Sequence, residues 1–574
     1  MQIIKSLTKL LVFICPFFAS AQSTYLTQGD KGTHFVDRLE IKQQRNTDLN
    51  FSTLRPLNRK FIVRQTEFLD SARLGYRDSA TGIDKYKEWT DLELSRIDEY
   101  NMNSLLMNNS EWVSGSKERF LSTKPILKSL YKTKPNMLEV NTKDFFLVVN
   151  PMLQISQAVE PGYNQGIFMN SRGFSARGMI GKKIGFATSL TDNQERGPQF
   201  FQRNVDSFRA VPGVGFYKGF KTNGVDYFDA RGYITFNAAK YVDIQFGYDK
   251  NFIGNGYRSL FLSDWGNSYL FLKLNTKIWK FNYQNLFMEL MPQFIKSGDS
   301  LLDRKYAAMH HLSINVTKWL NIGLFEGIVF GRKNRFDFQY LNPIIFLRHV
   351  EGTIGSPDNA LAGFDFKANV AHRLQFYGQF LLDEFKLDQI RANTGWWANK
   401  WGLQLGMKYI DAFGVQNLDL QFESNRVRPF TYSHNNLISN YTHYNQPLAH
   451  PLGANFQEFV GIVRYQPAPK WYINAKAIYY NQGLDSLNGR NYGSNIFRSN
   501  SDRNGDFGYD LAGGRKATCL NTFMQVSYEF RENFYFDVSM QYRNYKIANQ
   551  AGQSNTTLVT AGIRLNMFKR EYDF

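Results

Sequence analysis

The sequence is nearly free of cysteine. Of the two cysteines in its 574 residues, Cys15 lies in an apolar stretch at the N-terminus, which leaves Cys519 alone in the rest of the chain. A single thiol cannot form an internal disulfide or a multi-cysteine metal site. Packing, charge and backbone hydrogen bonds must therefore hold the fold together.

Long hydrophobic runs are also missing beyond the N-terminus. A membrane-spanning helix needs about 20 consecutive apolar residues, and no such run follows the N-terminal stretch. The mean hydropathy is −0.41, although aromatic residues make up 16 % of the chain. This combination argues against a helical membrane bundle and suits a transmembrane barrel, in which only alternate residues face lipid and aromatic residues ring both interfaces. On composition alone, a large soluble β protein is the alternative.

The N-terminal stretch has the form of an export signal. Lys5 and Lys9 supply the positive start, residues 10–18 the short apolar part, and residues 19–21 (Ala-Ser-Ala) the small-residue cleavage pattern. The apolar part is too short to span a bilayer. We therefore expect residues 1–21 to be a signal peptide that is cleaved between Ala21 and Gln22.

The net charge limits the kinds of partner. It is +18 for the whole chain, and the predicted signal carries two lysines and no acidic residue. An exported protein rarely meets nucleic acid, so we expect no nucleic-acid partner. Anionic lipid head groups or an acidic polysaccharide fit the positive charge better. The alternative is that the excess charge is spread over loops and marks no site.

Residues 22–142 differ from the rest of the chain because they are charged and carry helical rather than two-residue patterns. Tyr86, Trp89, Ile97 and Tyr100 fall on one side of a predicted helix. The sequence at 123–130 predicts a second, short helix with proline in its first turn. We expect a small, partly helical segment that lies in the periplasm or plugs a barrel. A partly disordered linker is the alternative.

From residue 143 to residue 574, apolar and polar residues alternate. Val242, Ile244, Phe246 and Tyr248 interleave with polar residues or glycine, and residues 533–543 do the same over a longer run. Alternation places apolar side chains on one face of a strand. Strands of about 9 to 11 residues are long enough to cross a bilayer when tilted. The pattern therefore predicts an all-β transmembrane barrel.

The connections between these strands alternate in length. Tight turns are predicted at residues 181–183, 239–240, 317–319, 371–373 and 530–533, and longer polar stretches at 192–226, 332–337, 429–455 and 482–516. Short turns on one rim and long loops on the other are typical of outer-membrane barrels. We predict about 18 antiparallel strands in one chain, a monomer of the outer membrane.

The inward face of this barrel is predicted to be polar. If the apolar face meets lipid, the following residues line the lumen: Asp243, Gln375, Gln379, Gln404, Lys408, Asp419, Glu423, Asn474, Lys476, Asp537, Gln541 and Arg564. The last strand is predicted from the alternation of residues 559–567, with the chain ending at Phe574. An amphipathic strand with an aromatic end resembles the signal read by the barrel-assembly machinery, which we expect as a partner during biogenesis.

No recognisable catalytic or metal-binding motif accompanies this pattern. His310 and His311 are adjacent on a predicted strand and would point to opposite faces. His349 and Glu351 would share a strand face, where a salt bridge is favoured over a metal site. The aspartates of residues 502–510 lack the glycine and glutamate of a calcium loop. We expect neither enzymatic activity nor a cofactor.

Two stretches of the barrel sequence resemble a known family. Residues 247–264 (GYDKNFIGNGYRSLFLSD) and 340–348 (YLNPIIFLR) are similar to the Wzi-like capsule-assembly barrels, and more closely to the gliding-motility-associated RemB proteins. The resemblance implies an outer-membrane barrel of about 18 strands that handles surface polysaccharide without catalysis, or that supports gliding motility. The rival hypotheses are a porin or transport channel and a membrane-embedded hydrolase.

Candidate ligand residues come from these same stretches. Tyr257 and Arg258 follow Gly254 and Gly256 and would present an aromatic and a basic side chain at a backbone bend. With Asp264 and Arg348, they are our candidates for polysaccharide binding or for lining the lumen. The competing interpretation is that they only turn the chain back into the barrel and fill its interior.

Overall fold

In the computed structural model, 18 long antiparallel strands close into a barrel. The structure describes residues 23–44, 49–73, 93–292, 301–548 and 554–574, apart from residues 128, 182 and 345. Each strand pairs with the next along the chain, and the last pairs with the first, with Ile563 opposite Ile155. The predicted fold class and strand number are confirmed. The predicted signal peptide, including Ala21 and Gln22, lies outside the described residues.

The barrel strands, numbered in chain order, are β1 Phe145–Val159, β2 Ile167–Ile180, β3 Ile184–Arg196, β4 Gly224–Ala239, β5 Val242–Asp249, β6 Tyr269–Ile278, β7 Phe281–Leu290, β8 Lys305–Asn315, β9 Leu320–Phe330, β10 Asn359–Val370, β11 Leu374–Glu384, β12 Lys400–Tyr409, β13 Leu418–Val427, β14 Phe456–Ala468, β15 Trp471–Leu484, β16 Arg515–Arg531, β17 Phe534–Ile547 and β18 Ser554–Leu565. Strands β6 to β13 have 10 to 12 residues each, which is close to the minimum that crosses a bilayer.

The helices lie outside the barrel strands and are α1 Lys31–Gln43, α2 Arg59–Arg73, α3 Arg96–Asn108, α4 Gln199–Phe208, α5 Leu347–Thr353 and α6 Leu387–Ala392. Asp30 caps α1 by accepting a hydrogen bond from the Gly32 amide, and Ser95 and Asp98 form a capping box on α3. No described helix combines the length and the apolar character that a membrane crossing requires.

The short turns and long loops fall on opposite rims as the sequence predicts. Two residues separate β6 from β7 and three separate β10 from β11. Exposed aromatic side chains mark the short-turn rim: Tyr241, Trp279, Trp319, Trp471 and Phe530. Such a girdle lies at the membrane interface, and the short turns of these barrels face the periplasm. The long loops therefore form the outer rim.

The described part of the N-terminal segment fills the periplasmic end of the lumen. Asp37 in α1 is 2.8 Å from Lys408 of the wall, and Glu40 is 2.7 Å from Lys367. Lys31 reaches Glu529 at 2.6 Å. These ion pairs fix α1 against three strands of the wall, β10, β12 and β16. We call residues 23–44, 49–73 and 93–112 the plug.

An outer loop meets the plug inside the barrel. Residues 250–268 leave β5 at the outer rim and fold inward, where Ile253 pairs with Leu54 and Phe252 with Arg55 in a two-stranded sheet. A buried apolar cluster joins this loop, the plug, the wall and the loop at 428–455: Leu54, Ile253, Leu260, Phe261, Leu262, Phe271, Met288, Met309, Tyr432, Tyr441 and Leu448. A packed core therefore occupies the middle of the lumen.

Most predicted lumen residues do face inward. Gln379 donates to the Ile253 carbonyl, Gln404 to the Arg258 carbonyl, and Gln541 to the Tyr572 carbonyl. The alternation of residues along each strand fixes which face is polar, so this part of the prediction succeeds.

Several local predictions are wrong. The helix predicted at 123–130 is not formed: bridges join Leu121 to Thr133 and Ile126 to Leu130, and Leu127 has a φ of 51°. Of the helix predicted from Tyr86, Trp89, Ile97 and Tyr100, the described part is α3, which begins at Arg96 and contains Ile97 and Tyr100. Tyr86 and Trp89 lie outside the described residues. The loop predicted at 192–226 contains α4, and both flanking strands extend into it.

The last strand also differs from expectation. It ends at Leu565, so Met567 and Phe574 are not part of it. The chain turns into the lumen instead, where Phe574 contacts Phe200 at 5.9 Å between ring centroids. Arg570 and Asp573 find charged partners inside the barrel, Glu195 for the first and Arg258 and Lys476 for the second.

Candidate polysaccharide-binding surfaces

Tyr257 and Arg258 lie side by side in the lumen, as their spacing requires, but both are held by other residues. Their backbone amides donate to the Glu423 carboxylate at 2.7 and 3.1 Å. The Arg258 guanidinium is 3.3 Å from Asp573 of the C-terminal stretch. The Tyr257 hydroxyl donates to the Asp573 carboxylate and is 2.5 Å from the Lys476 ammonium. Their polar atoms are therefore engaged in locking the C-terminal stretch to the wall.

The charges of this cluster stabilise one another. Burial alone would raise the pKa of Asp573, but Arg258 and Lys476 outweigh it and hold the pKa below its ordinary range. Burial likewise works against the Arg258 cation, yet Asp573 and Glu458 leave its pKa raised. The cluster is thus an internal ionic lock between loop 250–268, the wall and residues 569–574.

Only glycine fits at position 256 of this loop. A Cβ at this position would meet the Glu423 carboxylate, the Arg258 carbonyl and the Gln404 amide oxygen. The backbone must approach the wall this closely for the Glu423 carboxylate to accept from the two following amides. Close approach, rather than a tight bend, therefore requires the glycine.

Asp264 lies further along the same loop and accepts a hydrogen bond from the plug residue Gln28 at 3.0 Å. Together with Tyr257 and Arg258 it lines a cavity of about 690 Å³ between the plug, the wall and the C-terminal stretch. Arg231 and Arg464 add positive charge to this cavity. Its volume falls in the range of small-molecule sites, but it lies on the plug side of the packed core.

Arg348 is separated from these residues by the barrel wall. It lies in α5 on the outside of the barrel and is 69 % exposed at its side chain. The structure therefore brings three of the four candidate residues together and leaves the fourth on another surface. Glu351 pairs with Arg348 at 2.6 Å. His349 and Glu351 do not share a strand face as predicted, because this segment is helical and residues two apart diverge on a helix.

The two adjacent histidines behave as predicted. His310 contacts Glu326 at 2.8 Å, and His311 contacts Asp365 at 2.7 Å. They lie on opposite faces of β8 and have different carboxylate partners. Among the described residues, no three His, Cys, Asp or Glu side chains are arranged to hold a metal ion.

The outer rim carries an aromatic and basic cluster that was not predicted from the sequence. The Arg503 guanidinium lies 3.9 Å from the Trp397 ring centroid. The Arg490 guanidinium lies 4.9 Å from the ring centroid of Tyr492. Tyr509 packs against Phe430 with 4.9 Å between the two ring centroids. We call these six residues the outer cluster. Their loops, 385–399, 428–455 and 485–514, are far apart in sequence, and the tryptophan pair at 396–397 is the one local signal.

The outer cluster combines two features that suit an acidic sugar chain. Aromatic side chains offer flat apolar faces, and arginine offers several donors in one plane. Trp397, Tyr492, Arg490 and Arg503 are only partly buried. The cluster is therefore accessible from the side of the barrel that faces the cell exterior.

The fold and its closed interior define an outer-membrane β-barrel whose lumen is occupied by its own chain. Residues 142–559 match the family model of the capsule assembly protein Wzi. The chain therefore belongs to the Wzi capsule assembly family, and it is an outer-membrane protein.

Two solved structures are similar to this chain to different degrees. The Wzi outer-membrane protein of Escherichia coli, described as a carbohydrate-binding β-barrel involved in group 1 capsule assembly, superposes with a TM-score of 0.53 at 13 % identity, covering 95 % of this chain and 100 % of that one. OprD of Pseudomonas aeruginosa gives a TM-score of 0.41 at 11 % identity, covering 74 % and 94 %. No curated protein sequence matches this chain.

Proposed function

We propose that this barrel holds an anionic surface polysaccharide at the outer membrane without chemically altering it. The observation that carries the proposal is the filled lumen. Plug, inward loop and wall meet in a buried apolar core in which Leu260, Phe261 and Leu262 are each 0 % exposed. In a capsule-assembly barrel, such an interior favours attachment at the surface over passage through the barrel.

The filled lumen also separates this function from that of a diffusion porin. A porin needs a water-filled channel, whereas α1 is tied to the wall by several buried ion pairs. We expect no steady single-channel current from the purified protein in a planar bilayer. Stable conductance steps would favour the porin.

The outer cluster is the proposed contact surface for the polysaccharide. It lies on the outer rim, and both of its arginines lie over aromatic rings. Arg503 also donates from Nε to Asp506 and from Nη1 to the Asn500 carbonyl, which orients its remaining donors. The +18 net charge of the chain adds long-range attraction for an acidic polymer. The E. coli barrel described as carbohydrate-binding has the same fold, which supports a sugar ligand.

Binding to purified protein tests this assignment. Alginate serves as the anionic probe and dextran as the neutral one, with Trp397→Ala and Arg503→Ala as variants. Trp319→Ala is the matched control, because it removes a half-exposed tryptophan from the opposite rim. We expect alginate to bind better than dextran and each cluster variant to lose about tenfold or more, consistent with a hot-spot residue. Equal binding of the two polymers, or variants that match the control, would contradict the proposal.

A role in gliding motility is the second candidate. It is supported by the likeness of residues 247–264 and 340–348 to the RemB proteins. A deletion strain scored for both capsule retention and surface spreading separates the two roles. Loss of spreading with normal capsule would favour motility, and loss of capsule alone would favour attachment.

The absence of catalysis is part of the proposal. A lipid-facing hydrolase needs a serine, a histidine and an acid together on the outer wall. His310 and Glu326 pair on that wall, but His310 is buried, and the described contacts of the pair include no serine. We therefore expect purified protein to release no fatty acid or sugar from outer-membrane lipids. Turnover of either substrate would revive the hydrolase hypothesis.

A further inference from the structure

One stretch of the chain packs against the outside of the barrel. Residues 336–354, which we call the wall segment, connect β9 to β10 and include α5. Met309 belongs to the luminal core, so its neighbours Ala308 and Tyr306 on β8 point outward. These outward residues pack against Tyr340, Leu347 and Val350 of the wall segment. The segment therefore covers part of the surface that faces the membrane.

The wall segment is firmly attached at its base. Tyr340 is 0 % exposed, packs against Phe330 with 4.7 Å between the ring centroids, and donates from its hydroxyl to Asp358 at 2.7 Å. Arg332 forms a two-bond pair with the same carboxylate at 2.7 and 2.5 Å. This anchoring distinguishes the segment from a loop that extends freely into water.

The segment reaches deep along the wall. Its Pro343 carbonyl accepts hydrogen bonds from the Tyr283 hydroxyl at 2.6 Å and the Asn285 amide at 3.0 Å. Tyr283 lies four residues above Trp279 of the periplasmic girdle, which is about 10 Å along the membrane normal for a tilted strand. Strand β7 has only 10 residues, so this contact lies within the hydrocarbon layer and not above it.

The segment also shields polar groups on the lipid-facing wall. His310 and Glu326 point outward and contact each other at 2.8 Å, and the Leu347 amide donates to Glu326 at 3.0 Å. Ionisable groups are costly against lipid. The wall segment replaces lipid over this pair, which gives a physical reason for its position.

The outward surface of the wall segment is strongly apolar. Phe338, Ile344 and Phe346 are 80 %, 85 % and 76 % exposed, which is unusual for anchored aromatic and aliphatic side chains in water. Arg348 follows directly and uses one donor on Glu351, while guanidinium carries five. The Leu347 amide contacts Glu326. Glu326 lies seven residues along the strand from the girdle residue Trp319, which places it about 18 Å above the periplasmic girdle along the membrane normal. The Arg348 side chain can therefore extend to the outer head-group level.

We propose that the wall segment is embedded in the outer membrane and binds an anionic lipid. The acyl chains lie along Phe338, Ile344 and Phe346, and a head-group phosphate lies at Arg348. A water-soluble partner cannot reach this depth, because its surface would have to enter the hydrocarbon layer. The phosphate can belong to a glycerophospholipid or to lipopolysaccharide, since both present phosphate above acyl chains.

The depth of the segment is tested with Phe346→Trp. This side chain is exposed, so the substitution leaves the packing intact, and the fluorescence of the wild type is subtracted. We expect brominated acyl chains in reconstituted vesicles to quench the added tryptophan and a water-soluble quencher to leave it unaffected. Quenching by the soluble agent alone would overturn the proposal.

The lipid site is tested by native mass spectrometry with Arg348→Gln. The matched control is Arg172→Gln, because Arg172 is 63 % exposed at its side chain and, like Arg348, pairs with a carboxylate. We expect retained phosphatidylglycerol or lipopolysaccharide, relative to phosphatidylcholine, to fall about fivefold or more in Arg348→Gln and to stay unchanged in the control. Loss of one anionic lipid alone identifies the source of the phosphate. Equal retention in both variants, or a dimer that Phe346→Trp disrupts, would refute the site.

Discussion

Arg38 should be the residue on which closure of the lumen depends most. Its guanidinium, 4 % exposed, is 3.0 Å from Asp98 of the plug and 2.9 Å from Asp411 of the wall, and it also pairs with Asp419. Burial alone would lower the pKa of Arg38, but these carboxylates leave it raised. Removing the side chain in Arg38→Ala leaves Asp98 and Asp411 to share the Lys42 ammonium, and leaves Asp419 with the His34 ring, in a largely buried site. Breaking a buried pair in this way costs about 3–5 kcal/mol.

Hydrogen exchange of the α1 amides measures this cost directly. A loss of about 3 kcal/mol corresponds to roughly a hundredfold faster exchange from the opened plug. The control is Arg373→Ala, which removes an ion pair between wall and plug that is 3.7 Å long and exposed on both sides. Exposed pairs contribute about 0–1 kcal/mol. If Arg38→Ala exchanged no faster than Arg373→Ala, the ionic cluster would not hold the plug.

Two further predictions concern the interior. Burial lowers the pKa of His443 from 6.5 to about 4, and its Nδ1 accepts from the Met291 amide. As the pH falls from about 6.5 to 4, His443 takes up a proton when the loop at 428–455 is open but not when it is closed. The free energy that favours the closed loop should therefore fall by up to about 3 kcal/mol across that range. We expect faster proteolysis of residues 428–455 at pH 4 than at pH 7. His443→Gln should flatten this profile, and an unchanged one would contradict the assignment. Gly256→Ala should lower the midpoint of the heat-induced gel shift, because overpacking costs about 1–3 kcal/mol. Gly219→Ala is the control and should leave the midpoint unchanged, because a Cβ at that position meets nothing within 4 Å. Equal midpoints for the two variants would refute the close approach of Gly256 to Glu423.

The barrel itself was predictable because it follows from local patterns. Alternation along residues 533–543 fixes the apolar face of β17, and the same rule placed His310 and His311 on opposite faces. The short connections at 181–183 and 371–373 fixed which rim faces the periplasm. Strand number followed from counting such units, since each hairpin needs only its own residues and its neighbours.

The candidate site was predicted less well. Tyr257, Arg258 and Asp264 came together because they lie on one loop, but their burial depends on Asp573 and Gln28, which are hundreds of residues away. The outer cluster joins three separate loops, and its residues have no spacing that a sequence pattern can detect. The helical form of 347–353 was missed because its partners lie on β9 and β10.

The amino-acid sequence by itself determined the strands, their faces, the rims and the surplus of positive charge. Each of these depends on side-chain direction over a few residues. Only the tertiary structure decided that the lumen is filled, that residues 566–574 turn inward, and that the wall segment covers the lipid-facing side. Those arrangements depend on which distant surfaces meet once the barrel closes, and closure brings together residues such as Leu54 and Ile253 that no local periodicity connects.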